Sequence, residues 1–309
     1  MRVVVLTGGT GGAKLAAGLQ ELIGADLSAI ANSGDDIEIL GVHVSPDPDL
    51  VTWWLSGEID AERGWGIAGD SFTTHTRMVE LGAPQWFRLS DRDLAACLVR
   101  KIALSDGTRP TEAQASIAAA LGVAAKILPM CDQPVRTAVR TAAGWRGLQE
   151  YLIRDRAEPA VFEVRLDGIE AARPSPEVLA AIAAAELIVI GPSNPVISIG
   201  PILAVGGMRE ALAAAGAPVI AVSPFVAGKV VKGPTEKFMA ACGQPVSAAG
   251  IVALYGSLLD GLVVDSADPE APPPNPPSRA VDSLMDGRAG RRRLAEAVLE
   301  FGAELARLR

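Results

Sequence analysis

Residues 3–14 read VVVLTGGTGGAK, an apolar run followed by a glycine-rich turn. The run predicts a buried β-strand at residues 3–6, because strands covered on both faces are apolar throughout. The turn at residues 7–12 predicts the start of a helix at Ala13, which we expect to reach Ile23 and to end at Gly24. A strand, a tight turn and a helix form the first βα unit of an α/β sheet.

The same alternation returns along the chain. Apolar and helical patterns predict further strands at residues 27–32, 42–45, 187–190, 218–222 and 262–265, and helices at 175–185, 202–215 and 234–242. Strands that alternate with helices are typical of parallel βαβ units. We therefore predict an α/β fold, with a Rossmann-like, mostly parallel sheet and a helical insertion in the middle of the chain.

Three parts are expected along the chain. Residues 1–266 form the Rossmann-like core, in which about 50–155 are a mainly helical insertion with helices at 91–104 and 113–121 and strands at 135–141 and 149–154. Residues 267–278 are an extended connector rich in proline. Residues 279–309 form a helix that docks on the core through an apolar stripe made of Leu294, Val298, Phe301, Leu305 and Leu308.

Composition excludes several classes of protein. The net charge of −8 and the aromatic content of 4% disfavour a nucleic-acid-binding protein, which needs cationic side chains and stacking rings. The three cysteines form no C-x-x-C pair, so a zinc ribbon is excluded. The uncharged stretch 187–208 contains three prolines, which disfavours a membrane span. The amino terminus lacks the pattern of a secretion signal, so we expect a cytoplasmic protein.

The turn after the first predicted strand is a candidate phosphate site. Gly9, Thr10, Gly11 and Gly12 allow backbone N–H groups to approach phosphate oxygens at the start of a helix, and Lys14 adds a positive charge. The turn lacks the G-K-[ST] ending of a Walker A loop, and Lys14 replaces the third glycine of G-x-G-x-x-G. The alternative is a tight strand–helix turn without a ligand.

Acidic residues follow the next two predicted strands. Asp35 and Asp36 come after the second strand, and Asp47 and Asp49 come after the third. Ligands of open α/β sheets bind beyond the carboxyl ends of the strands, so we expect these acids near the glycine turn. Carboxylates are compatible with a phosphate when a divalent cation lies between them, and Mg²⁺ is the usual one. In the alternative, the aspartates only shape loops.

A second polar loop follows the strand at residues 187–190. Ser193 and Asn194 offer hydrogen bonds to a nucleotide base or sugar. Lys229 and Lys232 follow the next strand and are a weaker candidate of the same kind. The alternative for each is an ordinary turn.

Aromatic and basic residues are concentrated between residues 53 and 88. Trp53, Trp54, Trp65 and Trp86 either line a pocket for a flat ring system or pack an insertion over the sheet. Arg88 either joins an ion-pair network with neighbouring acids or binds an anion. The residues alone leave both alternatives open.

An ordered series of short motifs runs nearly end to end through the chain. The series is T-G-G-T-G-G-A-K-L (7–15), N-x-x-D-D (32–36), S-P-D-x-D (45–49), G-W-G (64–66), D-R-D (91–93), L-P-M (128–130), Q-E-Y (149–151), P-S-N-P (192–195) and S-I-G-P-I-L-A-V (198–205). With these motifs the chain resembles the 2-phospho-L-lactate transferase family of coenzyme F420 biosynthesis. The residues 284–286 are similar to the closing motif of that family, whereas the proline run at 272–277 departs from its pattern.

The resemblance implies a Mg²⁺-dependent transfer. The implied donor is a guanosine diphosphate ester of lactate or a close relative. The implied acceptor is the terminal ribityl hydroxyl of 7,8-didemethyl-8-hydroxy-5-deazariboflavin, bound on the side of the helical insertion. The products are then a phosphodiester-linked F420 precursor and GMP, and the resemblance also suggests a homodimer.

Residue roles follow from the same resemblance. It implies that Asp49 and Arg88 contact the deazaflavin and that acids of this region hold the metal, so we assign Asp36 and Asp49 to metal binding and catalysis. The glycine turn and Lys14 are expected to hold the diphosphate, with Ser193 and Asn194 near the nucleotide.

Two other functions stay open at this point. A related branch of proteins shares the glycine-rich opening and acts as a nucleotide-sugar-binding regulatory factor; Trp65, Arg88 and the D-R-D motif argue against it. A nicotinamide dehydrogenase is disfavoured by the missing G-x-G-x-x-G. The donor could carry lactate, enolpyruvate or glycerate, and the sequence does not choose among them.

Overall fold

A computed structural model describes residues 1–308 of the chain. The strands are β1 (Val3–Thr7), β2 (Leu27–Ala31), β3 (Ile37–Ile39), β4 (Val42–Val44), β5 (Lys126–Pro129), β6 (Arg136–Thr141), β7 (Gly144–Gly147), β8 (Glu163–Asp167), β9 (Leu187–Ile190), β10 (Val219–Val222), β11 (Phe225–Val226), β12 (Lys229–Val230), β13 (Gly261–Asp265) and β14 (Ser278–Val281). The α-helices are α1 (Gly9–Ile23), α2 (Pro46–Ser56), α3 (Thr73–Glu80), α4 (Asp91–Ser105), α5 (Pro110–Ala120), α6 (Pro176–Ala184), α7 (Ile199–Ala204), α8 (Met208–Ala214), α9 (Thr235–Ala241), α10 (Ala248–Tyr255) and α11 (Gly287–Leu308).

Within residues 1–308, seven strands form one sheet in the order β14-β13-β10-β9-β1-β2-β5, and every neighbouring pair is parallel. From β1 the chain adds β2 and β5 on one side, then returns to add β9, β10, β13 and β14 on the other. The direction of growth therefore reverses between β1 and β9, and ligands of open α/β sheets bind at such a point. The predicted α/β fold with a Rossmann-like parallel sheet is confirmed.

The strand β1 is buried on both faces of this sheet. Val3 and Val5 belong to the core formed with α1, α2 and α11, whereas Val4 and Leu6 belong to the core formed with α6, α7, α8 and α10. Side chains alternate between the two faces along a strand, so an uninterrupted apolar run supplies both cores.

The carboxyl-terminal helix α11 packs closely on α1. A Cβ atom at Gly18 of α1 would lie 2.5 Å from the Arg291 carbonyl oxygen, so only glycine permits this approach. On the side of α11 that faces the core, Leu294 and Val298 are fully buried, whereas Leu308 at the end of the helix is 83% exposed. The expected apolar stripe is thus buried in its first part and leaves the core at Leu308.

One strand that was predicted for the parallel sheet lies outside it. Residues 42–45 do form a strand, β4, but it pairs antiparallel with β3. The two strands are joined by Leu40 and Gly41, both at positive φ, which is the conformation of a two-residue hairpin turn. The position next to β2 in the main sheet is taken by β5, about 95 residues from β2 in the chain.

Two further element predictions were wrong. Residues 149–154 are not a strand: a single π-helical turn occupies Glu150–Arg154, and β6 pairs instead with β7 and β8. The helix expected at 202–215 is divided into α7 and α8 at Gly207, which has φ +91°. The helix α7 ends at Ala204 because the backbone of Val205 is extended, and Gly207 is the cap residue before α8.

Two helices begin earlier than expected. The helix α1 starts at Gly9, so the glycines of residues 9–12 form its first turn and do not precede it. The helix α5 starts at Pro110, where the Glu112 carboxylate accepts a hydrogen bond from the Arg109 N–H. Proline is favoured at the first helical position because its missing N–H is not needed there.

The middle of the chain contains both helices and strands. Residues 50–155 include α3, α4 and α5, together with β5 of the main sheet and the hairpin of β6 and β7. Residues 267–277 form neither helix nor strand. The helix expected at 279–309 begins only at Gly287, because β14, the edge strand, and a short loop occupy residues 278–286. None of the helices within residues 1–308 has the length and apolar character needed to cross a bilayer. The division into domains stays a prediction.

The two ends of α11 provide a matched stability test. We expect Leu294→Ala to lower the free energy of unfolding by about 2–5 kcal/mol, because it removes a fully buried side chain. Leu308→Ala should change it by less than about 0.5 kcal/mol, since that side chain is exposed. Urea unfolding of both variants measures the difference. Equal effects at the two positions would contradict the packing of α11 described here.

Candidate active site

A cleft of about 470 Å³ opens at the carboxyl ends of β1, β9 and β10. It lies at the reversal point of the sheet, where the loops after neighbouring strands diverge. Its polar lining comes from widely separated parts of the chain: Gly8, Gly9, Thr10, Gly11, Lys14, Asp35, Asp47, Gln149, Ser193, Asn194, Ser198, Ser223, Lys232, Thr235 and Ser283. Gln149 and Ser283 belong to segments for which sequence reasoning gave no role.

The glycines at the start of α1 have two different functions. Gly9 and Gly11 line the cleft, together with Thr10. Gly11 and Gly12 also allow close packing, because a Cβ atom would lie 2.1 Å from the Pro192 carbonyl oxygen and 2.2 Å from Thr7 Oγ1, respectively. Gly12 is buried and does not line the cleft. The N-terminus of α1 thus lies directly against the loop after β9.

That loop supplies Ser193 and Asn194. Ser193 Oγ accepts a hydrogen bond of 3.2 Å from the Gly8 N–H, which ties the loop to the end of β1. Asn194 Oδ1 accepts hydrogen bonds from the N–H groups of Val196 and Ile197. These hydrogen bonds hold both predicted residues at the cleft.

A pair of carboxylates lies on the other side of the α1 N-terminus. Asp47 Oδ1 accepts a hydrogen bond of 2.6 Å from the Gly9 N–H, and Gly8 lacks the Cβ that would lie 2.7 Å from Asp47 Oδ2. Asn32 Nδ2 lies 2.9 Å from Asp35 Oδ1 and 2.9 Å from Asp47 Oδ2 and donates to both. The two acids therefore share one amide group and face the same cleft.

The electrostatics of this pair favour a cation. Burial raises the pKa of Asp47 to about 6, although the hydrogen bonds from Gly9 and Asn32 act in the opposite direction. Burial and the neighbouring Asp47 raise the pKa of Asp35 well above its usual range. Two buried carboxylates that repel each other are stabilised in their ionised form by a divalent cation between them.

Asp36 and Asp49, the acids expected in catalysis, face other partners. Asp36 Oδ2 lies 2.9 Å from His43 Nε2, and Asp36 Oδ1 accepts a hydrogen bond of 2.7 Å from Ser45 Oγ. Asp49 is buried in a bidentate ion pair with Arg100, whose Nη1 lies 3.0 Å from Asp49 Oδ2. Neither carboxylate lines the cleft, and a direct role for them stays a prediction.

The local structure of α2 explains which aspartate reaches the cleft. The helix starts at Pro46, so Asp47 and Asp49 lie in its first turn and not in a loop. Side chains two positions apart on a helix point about 200° away from each other. The Ser45-Pro46 pair followed by acids is a helix-start signal that could have shown this from the sequence.

A second group of potential metal ligands lies beneath this helix. Ligand atoms of Asp49, Asp93 and Cys97 lie within 4.8 Å of one another. Burial and nearby Asp49 raise the pKa of Asp93 to about 7, and burial raises the pKa of the Cys97 thiol far above its usual range. Because Arg100 already neutralises Asp49, this group fits a divalent cation less well than the Asp35–Asp47 pair.

Arg88 and the tryptophans are divided between the surface and the core. The Arg88 guanidinium lies 4.2 Å from the centre of the Phe72 ring, outside the cleft lining. Trp65 is 41% exposed and makes an edge contact with the same ring, whereas Trp53 and Trp54 are buried under α1. The packing alternative therefore holds for Trp53 and Trp54, and an exposed surface of rings and arginines surrounds Trp65.

Lys14 points along the cleft toward the carboxyl-terminal segment. Its Nζ donates a hydrogen bond of 3.3 Å to the Met285 carbonyl oxygen and lies 5.6 Å from the centre of the Trp54 ring. Burial lowers the pKa of Lys14, and the nearby Arg291 lowers it further. Residues 283–285, close to the motif expected to end the family pattern, thus form one wall of the cleft.

The fold and the cleft define a doubly wound α/β protein with its candidate site at the reversal point of a parallel sheet. The chain belongs to the 2-phospho-L-lactate transferase CofD family, whose model matches residues 3–282. The family resemblance predicted from the motifs is thereby confirmed.

Individual relatives support this membership. The chain is 41% identical to the 2-phospho-L-lactate transferase of Methanosarcina mazei over 267 residues, which cover 86% of this chain and 88% of that protein. It is 42% identical to the phosphoenolpyruvate transferase of Kitasatospora aureofaciens over 279 residues, covering 88% and 87%. A UPF0052-family protein of Bacillus halodurans, known from a crystal structure, shares the fold with a TM-score of 0.65 at 18% identity, over 96% of this chain and 98% of that one.

The raised pKa of Asp47 has a consequence for stability. Ionised Asp47 is disfavoured in the folded chain and therefore lowers the free energy of unfolding. This loss of stability is absent below about pH 4, grows up to about pH 6 and is complete above it. In a metal chelator, Asp47→Asn should therefore raise the free energy of unfolding by about 1–3 kcal/mol at pH 7.5 and by almost nothing at pH 4. Urea unfolding at both pH values measures this, with Asp106→Asn on the surface as the control. A gain that does not depend on pH would contradict the prediction.

Proposed function

We propose that this protein transfers a 2-phospholactyl group, or the related phosphoenolpyruvyl or phosphoglyceryl group, in coenzyme F420 biosynthesis. The donor is a guanosine diphosphate ester, the acceptor is the ribityl hydroxyl of 7,8-didemethyl-8-hydroxy-5-deazariboflavin, and GMP is released. Membership of the family and the transferase names of the relatives support the class of reaction. The names of the relatives differ in the three-carbon group, so the donor's acid is left open.

One observation carries the proposal. The N-terminus of α1 and the Asp35–Asp47 pair meet in one cleft, linked by the hydrogen bond from Gly9 to Asp47. Phosphoryl-group transfer depends mainly on positioning and on neutralising charge, and this arrangement provides both. The free N–H groups of the first helical turn favour phosphate oxygens, and the acids favour a cation beside them.

Mg²⁺ is the proposed cofactor, and Asp35 and Asp47 fit it. Their oxygens face the cleft with partners that leave lone pairs free, and their mutual repulsion is relieved by a dication. When bound, Mg²⁺ neutralises phosphate charge. The metal ligands expected from the sequence, Asp36 and Asp49, are kept as the alternative to this pair, although His43 and Arg100 already neutralise them.

The chain's own residues have the following proposed roles. The backbone at Thr10 and Gly11, with Lys14, holds the diphosphate, and Ser193 and Asn194 approach the nucleotide from the loop after β9. The acceptor hydroxyl gives its proton to a carboxylate of the site.

Other expected roles are retained as proposals. We keep Asp49 and Arg88 as contacts of the deazaflavin, and the ring and arginine surface around Trp65 supports an acceptor on this side. Asp36 and Asp49 also position the site, because Asp36 holds Ser45 at the start of α2 and Asp49 joins α2 to α4. A homodimer and a cytoplasmic location stay predictions.

The function is tested by incubating the purified protein with the deazaflavin, Mg²⁺ and each of the three candidate donors. We expect mass spectrometry to find one phosphodiester product and an equal amount of GMP, with one donor clearly preferred. Asp49→Asn should lower turnover at least about tenfold, because it removes half of a buried ion pair at the site. Full turnover in that variant would remove Asp49 from the mechanism.

The alternative function is examined by titration with a UDP-sugar and with the deazaflavin, followed by fluorescence. Tight binding of the UDP-sugar, with no product from any donor, would favour the nucleotide-sugar-binding regulatory factor and contradict the transferase. Binding of the deazaflavin with GMP release supports the transferase.

The metal site is tested by thermal unfolding with and without Mg²⁺. Free Mg²⁺ at 100 times its Kd should stabilise the wild-type protein by about 2.7 kcal/mol. We expect Asp35→Asn and Asp47→Asn to abolish this gain, and Asp36→Asn and Asp49→Asn to keep most of it. The opposite pattern would place the metal at Asp36 and Asp49, as the sequence alone predicts.

A further inference from the structure

Lys232 is a cleft residue that the proposed function does not yet use. It follows the short hairpin of β11 and β12 and reaches back over the start of α1. Its Nζ lies 3.3 Å from Thr10 Oγ1 and 3.4 Å from the Gly64 carbonyl oxygen. Gly64 has φ +71° and no Cβ, and a Cβ there would lie 2.7 Å from this Nζ. Three distant segments of the chain thus meet around one ammonium group.

Within residues 1–308, the ammonium groups of Lys14 and Lys232 make no direct ion pair, and the nearby Asp286 only partly offsets the lowering of the pKa of Lys14. Both Lys14 and Lys232 donate only to neutral oxygens, those of Met285, Thr10 and Gly64. Burial lowers the pKa of Lys232, and the neighbouring Lys14 lowers it further. Two ammonium groups that line a cleft and are held only by neutral oxygens attract an anionic ligand.

The cleft is therefore divided into an acidic end and a basic end. Asp35 and Asp47 form the acidic end, Lys14 and Lys232 form the basic end, and the first turn of α1 lies between them. A nucleoside diphosphate carries two phosphates in a row, so with a divalent cation held by Asp35 and Asp47 it would engage both ends at once. A nucleoside monophosphate can engage only one of them.

We propose that Lys232 binds the second phosphate of a nucleoside diphosphate and, together with Lys14, makes the cleft select diphosphates over monophosphates. This inference rests on the proposed guanosine diphosphate donor and adds a specificity-determining residue to it. It also accounts for product release, because cleavage of the diphosphate leaves GMP with contacts at one end only.

The same hairpin offers a matched control. Lys229 lies three residues earlier and, unlike Lys232, does not line the cleft. Lys232→Met and Lys229→Met therefore remove the same charge from the same hairpin, one inside and one outside the cleft. Lys232→Arg keeps the charge at the cleft. Unchanged melting temperatures of the three variants show that each is folded.

The test measures the binding of GDP, GMP, guanosine and inorganic pyrophosphate by calorimetry in the presence of Mg²⁺. We expect Lys232→Met to weaken the binding of GDP and of pyrophosphate by about 10- to 100-fold, because a charge-assisted hydrogen bond is lost. In the same variant the affinity for GMP should fall by less than about 3-fold, and the affinity for guanosine should not change. The affinities of Lys229→Met should match those of the wild type within about 2-fold. Lys232→Arg should recover most of the GDP affinity.

Several results would overturn the inference. These are equal weakening of GDP and GMP, an unchanged GDP affinity in Lys232→Met, an equal loss in Lys229→Met, or wild-type protein that binds neither GDP nor pyrophosphate. The proposed function fails separately: if the wild type binds GDP through Lys232 yet transfers nothing to the deazaflavin, Lys232 stands and the transferase does not. If product forms and Lys232→Met binds GDP normally, only the role of Lys232 is lost.

Discussion

The hydrogen bond between the Gly9 N–H and the Asp47 carboxylate is the contact on which the site depends. It joins the start of α1 to the start of α2 at a distance of 2.6 Å. The approach is possible because Gly8 has no Cβ atom, which would lie 2.7 Å from Asp47 Oδ2. One N–H group of the helix terminus is thereby occupied, and the next two residues of that turn, Thr10 and Gly11, line the cleft. An acid and a phosphate-binding helix end are brought together at the edge of β1.

Further buried polar and charged side chains hold this contact in place. Asn32 bridges Asp35 and Asp47, Asp36 is bound by His43 and Ser45, and Asp49 is paired with Arg100. Removing one partner from a buried ion pair costs several times more than an exposed pair contributes, because the remaining charge is left without compensation. The layer of polar contacts under α2 therefore fixes the direction in which each aspartate points. The acids that remain free to act are those at the cleft.

The walls of the cleft come from parts of the chain that are far apart in the sequence. The loop after β9 packs on the helix glycines, residues 283–285 reach Lys14, and Gly64 lies against Lys232 and Thr10. These segments meet because the parallel sheet places the carboxyl ends of β1, β9 and β10 side by side. A parallel sheet thus collects into one site residues that the sequence spreads over more than 270 positions.

The sequence by itself determined the βα alternation, the strands β1, β2, β9, β10 and β13, the glycine-rich start of α1 and the family. Those features depend on local periodicity and on contiguous motifs. The tertiary structure decided that β5 and not residues 42–45 continues the sheet, since a two-residue turn folds the latter back on β3. It also decided that Asp47 faces the cleft while Asp49 faces Arg100, and that Lys232 reaches Thr10. Such choices depend on helix phase and on long-range packing, which neighbouring residues in the sequence do not specify.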